Sequence, residues 1–164
     1  GSISVYGDQK GAIVTEETAI HPLNPQAEIL AQTESCLLQQ TASPACILRL
    51  GEIIGPGRSL EERVAKMQGK AFPGTGDNPV NLSPLADILN GLEFAIENEL
   101  RGVFNLVSDY HPPRNWLYTE IAKKKGLKAP SWDPALTSQH GGNRIVSSKR
   151  LLDQQFSFET NAVL

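Results

Sequence analysis

The sequence predicts an α/β fold with a parallel sheet and flanking helices. Short apolar runs of strand length alternate with stretches of helical period along the 164 residues. The clearest run, Ala45-Cys46-Ile47-Leu48-Arg49-Leu50-Gly51-Glu52-Ile53-Ile54, is mostly apolar without regular alternation, as expected of a strand buried on both faces of a parallel sheet. Hydrophobic residues make up 40% and charged residues 20%, the balance of a globular chain that can build a core.

Taken in order, residues 1–6 read as a strand end broken by Gly7-Asp8, and a loop punctuated by Gly11, Pro22 and Asn24 runs to Pro25. Residues 26–40 read as a helix whose apolar positions are Ile29, Leu30, Thr33, Leu37 and Leu38, and Pro44 closes it. Residues 45–54 read as one strand, ended by Gly55-Pro56-Gly57-Arg58. Ser59, with Glu62 three residues on, forms a capping box and starts a helix. Gly69 and Pro73-Gly74-Thr75-Gly76 mark a loop before a short extended piece at 80–82. Ser83 as N-cap and Pro84 as first helical residue suit a second helix. Its buried stripe would be Leu85, Ile88, Leu89, Leu92 and Ile96. Residues 102–107 form another strand. Pro113 opens a helix through Lys125, with lysines at its negative end and Gly126 as its stop. The tail, 128–164, reads as irregular apart from a helical stretch near 148–154.

A net charge of −3 and a pI near 5.6 argue against nucleic-acid binding driven by bulk charge. No apolar run approaches the roughly 18 residues of a membrane span, and residues 1–6 lack the basic start and apolar stretch of a signal peptide. Cys36 and Cys46 supply neither a disulfide framework nor a zinc site; they read as buried thiols of a reducing, cytoplasmic protein. His21, His111 and His140 lie scattered in loops with no metal-ligand spacing, so no metal is expected. Trp116 and Trp132 read as packing residues.

The segments Ser2-Ile3-Ser4-Val5-Tyr6-Gly7-Asp8, Ile47-Leu48-Arg49-Leu50, Ile54-Gly55-Pro56-Gly57-Arg58, Gly102-Val103-Phe104-Asn105-Leu106-Val107 and Asn143-Arg144-Ile145-Val146, taken in order, resemble the C-terminal half of an extended short-chain dehydrogenase/reductase, the NAD-dependent epimerase/dehydratase group. Ser2-Ile3-Ser4-Val5-Tyr6-Gly7-Asp8 resembles the family's Ser-rich strand ending in Val-Tyr-Gly. Ile47-Leu48-Arg49-Leu50 with Ile54-Gly55-Pro56-Gly57-Arg58 resembles the next strand and its Pro-Gly turn. Residues 81–92 sit where the family has a His-Val-Asp-Asp helix start, and Gly102-Val103-Phe104-Asn105-Leu106-Val107 resembles a later strand. Asn143-Arg144-Ile145-Val146-Ser147-Ser148-Lys149-Arg150-Leu151 resembles the segment covering the substrate pocket.

The resemblance implies a Rossmann-type parallel sheet with flanking helices. Residues 1–164 would be the C-terminal half of an NAD(P)-binding domain, with a substrate-side segment at about 110–160. It implies a catalytic hydroxyl at Ser2, and NAD or NADP contacts at Pro56 and Gly57. Substrate contacts are implied at Ser4, Arg58, Asn81 and Arg144. The family's Tyr-x-x-x-Lys, in which the lysine lowers the tyrosine pKa for proton exchange, falls on Gln26 and Leu30, and neither can do that work. A literal Tyr6-Gly7-Asp8-Gln9-Lys10 lies on a turn and reads as a decoy. No glycine-rich phosphate loop precedes Ser2, so an N-terminal half or another subunit is expected to complete the sheet and supply it.

The expected function is that of an epimerase, dehydratase or reductase acting on a sugar-nucleotide-like or other small hydroxyl or carbonyl substrate, degenerate in its proton-transfer site. The alternative is a catalytically inactive member that binds a nucleotide or a partner protein. Neither nucleic acid nor membrane is an expected partner, and pairing into a homodimer would involve the helix at 26–40.

Overall fold

The computed structural model describes residues 1–40, 42, 44–68, 70–136 and 142–159. The expected loop glycine Gly69, His140 and the end of the tail lie outside these residues. Strands are β1 (Ile13–Val14), β2 (Cys46–Leu50), β3 (Glu52–Ile54), β4 (Ala71–Pro73), β5 (Leu82–Pro84), β6 (Gly102–Leu106), β7 (Ser131–Asp133) and β8 (Ile145–Val146). Helices are α1 (Pro25–Leu38), α2 (Leu60–Lys66), α3 (Leu85–Glu97), α4 (Arg114–Lys124) and α5 (Lys149–Leu152). The named strands pair two by two and always parallel: β2 with β6, β3 with β5, β4 with β7 and β1 with β8. The α/β fold of the Rossmann type thus stands, and its central pair runs in register from Cys46 opposite Gly102 to Leu50 opposite Leu106.

Residues 1–6 are a strand end only at Ser2, which bridges to Leu50. Ile3–Tyr6 then tightens into a 3-10 turn because the Ser2 side chain caps the Ser4 N–H. The run at 45–54 is two strands instead of one. Gly51 separates them where the Asn81 carbonyl comes so close that a Cβ would collide with it, and the chain then changes partner from β6 to β5.

The helix caps form as the residues dictate at Asn24, which accepts from the Ala27 N–H at 2.9 Å, and at Ser59, which accepts from Glu62 at 3.1 Å. Ser83 is not an N-cap. Its buried hydroxyl accepts from Gly51 N–H at 2.8 Å and donates to the Leu106 carbonyl at 2.5 Å, tying β5 across the sheet, and the cap position passes to Pro84.

Both apolar stripes face differently from the expected way. In α1 the inward positions are Ala27, Leu30, Ala31 and Glu34, while Ile29, Leu37 and Leu38 are exposed. Two small alanines let the helix approach the sheet, and the buried Glu34 is neutralised by Arg49 at 2.7 Å. In α3, Ile88, Gly91 and Ala95 face inward and Leu85, Leu89, Leu92 and Ile96 face out. The helix can come close because Gly91 sits against the Leu106 side chain, where a Cβ would collide. Cys36 is exposed and Cys46 half-buried, so the expected pair of buried thiols is not formed. Trp116 is also exposed. In the tail the expected helical stretch forms as α5, and two strands that its composition did not suggest, β7 and β8, form as well. Among the described residues no helix is long and apolar enough to cross a membrane.

Candidate functional site

A cavity of about 730 Å³ opens among the described residues. Ser2 and Ser4 reach it from the first turn, and Glu52 from β3. Arg58 comes from the turn beyond β3 and Arg63 from α2. Phe72 and Trp132 arrive from the β4–β7 pair, Arg114 from the start of α4, and Arg144 from the strand entry before β8. Four guanidinium groups thus line a cavity in which Glu52 is the one carboxylate among the described residues, although the chain as a whole is acidic. Low-dielectric walls with one sign of charge concentrate anions locally.

Arg144 is only 5% exposed. Its Nη1 donates to the Gly7 carbonyl, while its buried Nε has no hydrogen-bond partner among the described residues. Burial pulls its pKa below the ordinary arginine value, with Asp8 and Tyr6 opposing that pull, and a guanidinium remains charged under these conditions. A buried cation with no carboxylate in contact is costly unless something anionic approaches it.

The segment that carries Arg144 is held from two sides. The Asn143 carbonyl accepts from the Gln9 and Gly11 N–H groups at 3.1 and 2.8 Å, and its N–H donates to Asp8 at 3.0 Å. The N–H groups of Lys10 and Asn143 hold the Asp8 carboxyl below the usual carboxylate range. On the other side, Asn81 Nδ2 donates to the Arg144 carbonyl at 2.9 Å and Asn81 Oδ1 accepts from the Val146 N–H at 2.8 Å. Both ends of the Asn81 amide are therefore engaged with backbone, and the residue positions Arg144.

The second cluster is a triad. Glu52 meets Arg63 through Oε1 and Arg114 at 3.7 Å through Oε2, and Arg63 donates to the Tyr118 hydroxyl at 3.4 Å. Burial pushes the Tyr118 pKa up, and the charge of Glu52 adds to the effect. For Arg63, burial works against the charged form, but Glu52 and Tyr118 outweigh it and hold the pKa above the ordinary value. Beside the triad, Phe72 stacks on Trp132 with centroids 5.1 Å apart, and Tyr118 meets Phe72 edge-on.

The cavity gathers Ser2, Ser4, Arg58, Asn81 and Arg144. Ser2 Oγ accepts from the Ser4 N–H at 3.2 Å, which leaves its proton free to donate. Gln26, Leu30, Pro56 and Gly57 are not among the lining residues. Gln26 is exposed on α1, and Leu30 packs against the apolar cluster of Ile3, Val5 and Tyr6. Pro56 and Gly57 sit on an exposed turn. Tyr6 and Lys10 do not form a pair. Tyr6 is buried, donates to Asn105 Oδ1 at 2.8 Å and lies 4.8 Å beneath Arg49, whereas Lys10 is exposed in a left-handed backbone conformation.

Sequence reasoning missed Glu52, Arg63, Arg114 and the Phe72–Trp132 shelf. Two signals were present: Glu52 is a carboxylate inside an apolar strand run, and Arg114 is a cation at a helix start, where the dipole disfavours it. Among the described residues no group of three or more His, Cys, Asp or Glu could hold a metal ion.

No family model matches the chain. Protein YeeZ of Escherichia coli K12 is 31% identical over 154 residues, covering 93% of this chain and 54% of that protein. The chain thus spans about half the length of the curated relatives it matches. A functionally unknown conserved protein from Silicibacter pomeroyi superposes with a TM-score of 0.84 at 21% identity, over 99% of this chain and 61% of the other. The UDP-glucose 4-epimerase of Thermus thermophilus, solved with NAD, superposes at 0.77 and 18% identity, over 99% and 58%.

Proposed function

We propose that this chain, whose fold is shared with solved NAD-dependent epimerase/dehydratase structures, is the C-terminal, substrate-binding half of an NAD(P)-dependent epimerase-, dehydratase- or reductase-like protein of the extended short-chain dehydrogenase/reductase kind. The substrate would be a small anionic compound bearing hydroxyl or carbonyl groups, of the sugar-nucleotide kind or simpler. One observation carries the reading: four arginines converge on a cavity of about 730 Å³ beside the hydroxyls of Ser2 and Ser4. Arg144 supplies a buried charge, Arg58 an exposed one, and Ser2 a hydroxyl proton for a substrate oxygen.

The described residues fit a dinucleotide only in part. The turn at Pro56 and Gly57 is exposed, and a Cβ at Gly57 would meet no atom within 4 Å. Among the described residues no glycine-rich turn at the N-terminus of a long helix offers a seat for the diphosphate: α1, α3 and α4 have Asn24, Pro84 and Pro113 as their N-caps. We therefore assign the phosphate loop to a further polypeptide segment or subunit. The exposed apolar residues of α1 and α3 support a partner of that kind, or a second copy against α1.

A specific observation favours the non-catalytic alternative. Gln26 is exposed and Leu30 is packed into an apolar cluster, so the positions of the proton-transfer pair carry no titratable group. Two experiments test these readings. Arg144→Gln is expected to weaken inorganic phosphate binding by about 10- to 100-fold, from the loss of a charged hydrogen bond; unchanged binding would overturn the anion site. Gln26→Tyr with Leu30→Lys is expected to create reductase activity only where the rest of the site is competent, and absence of any gain would favour the binding role.

A further inference from the structure

The Glu52 triad bears on which of the two substrate classes the cavity takes. Glu52 projects from β3 between Arg63 of α2 and Arg114 of α4, so one carboxylate already occupies the space between two guanidinium groups. Its side chain is 17% exposed, and those of Arg63 and Arg114 are 37% and 34% exposed. The triad is therefore in reach of a ligand, and its net charge is a single positive unit. A diphosphate brought against it would meet both the arginines and the carboxylate, and at short range in a low-dielectric cavity like-charge repulsion is large. A singly charged group, or a hydroxyl that donates to Glu52 while accepting from an arginine, meets no such conflict. The Phe72–Trp132 shelf alongside offers an apolar face that packs against the C–H face of a polyhydroxylated chain or ring.

From this arrangement we infer that Glu52 is a specificity-determining residue, and that it selects a singly charged polyhydroxy acid over a diphosphate. Glu52 acts as an internal anion. It satisfies half of the Arg63–Arg114 charge, leaving the ligand's own anion to Arg144. The inference rests on the anion-binding reading of the cavity given above and chooses between the substrate classes that reading leaves open.

The experiment compares binding of D-gluconate and inorganic pyrophosphate to the chain by titration calorimetry at fixed ionic strength, in the wild type and in Glu52→Gln, Glu52→Asp and Arg114→Gln. The wild type is expected to bind gluconate more tightly than pyrophosphate. Glu52→Gln should move the affinity ratio toward pyrophosphate by about tenfold or more. Glu52→Asp keeps the charge and should keep the wild-type ratio, and Arg114→Gln should move it further toward gluconate. Tighter pyrophosphate binding in the wild type, or a ratio that Glu52→Gln leaves unchanged, would overturn the inference and leave the anion site standing. Failure of the wild type to bind either anion would overturn the anion site itself. Should Glu52→Gln not fold, Arg114→Gln at the half-exposed helix start decides alone: an unmoved ratio there sinks the inference.

Discussion

Two ion clusters in this molecule use the same chemistry to different ends. Glu34 and Arg49 are each 6% exposed in their side chains, and Arg49 gives Glu34 two hydrogen bonds while covering the Tyr6 ring. The pair joins α1 to β2 and is almost wholly withdrawn from solvent. Glu52, Arg63 and Arg114 also join three elements, but they do so along the wall of a cavity. The difference teaches that access, more than composition, separates an ion pair that is scaffold from one that can read a ligand. The sealed pair has only the fold to serve. The open one can exchange partners.

The sharpest way to break this comparison is at the sealed pair. Arg49→Ala strands a buried carboxylate and should cost about 3–5 kcal/mol in urea denaturation; a loss within experimental error of zero would mean that water reaches Glu34. Less severe is Asn81→Ala. It leaves the Val146 N–H and the Arg144 carbonyl without partners and should cost about 1–3 kcal/mol, together with anion affinity, because it positions Arg144. If stability falls while phosphate binding does not, Asn81 holds only the strand. Glu52→Gln should change stability by no more than about 1 kcal/mol, because Arg63 and Arg114 are each about a third exposed and keep access to water when the carboxylate is lost; a loss as large as that of Arg49→Ala would make both clusters scaffold.

The smallest effect lies in acid. Asp8 has its folded pKa depressed below 3.8 by the backbone of Lys10 and Asn143. Its contribution is fully present above that unfolded value and is lost as pH falls through the lower folded one. Asp8→Asn should therefore flatten the decline in thermal stability below about pH 4. An identical decline in the variant would show that the acid response comes from other carboxylates.

What could be read from the residues divides along the range of the interactions. The strand runs that contain β2 and β6 were legible because apolar stretches with β-branched and aromatic residues announce themselves locally, and the cap at Ser59 acts over three residues. The two- and three-residue strands β1, β4, β7 and β8 were not, because each exists only through a partner far along the chain. The stripe of α3 was misread because apolar side chains lie on more than one side of it, and periodicity cannot say which side meets the sheet. In α1 the inward face is two alanines, a leucine and a glutamate, a pattern that becomes sensible only once Arg49 stands opposite Glu34. The hydroxyls and Arg144 came from family likeness. The triad assembles from three separate elements, and no local pattern contains it.

The β1–β8 pair has a consequence for how the molecule comes to be. Ile13 lies beside Ile145 and Val14 beside Val146, and this short ladder closes nearly the whole described chain into one loop. Closure entropy for so long a loop must be met before its few contacts give anything back, so such pairing belongs late in folding. The Arg144 segment is part of that ladder. During synthesis the central strands can already be paired while the cavity still lacks its buried cation, so the cavity gains that charge only after the β1–β8 ladder has closed.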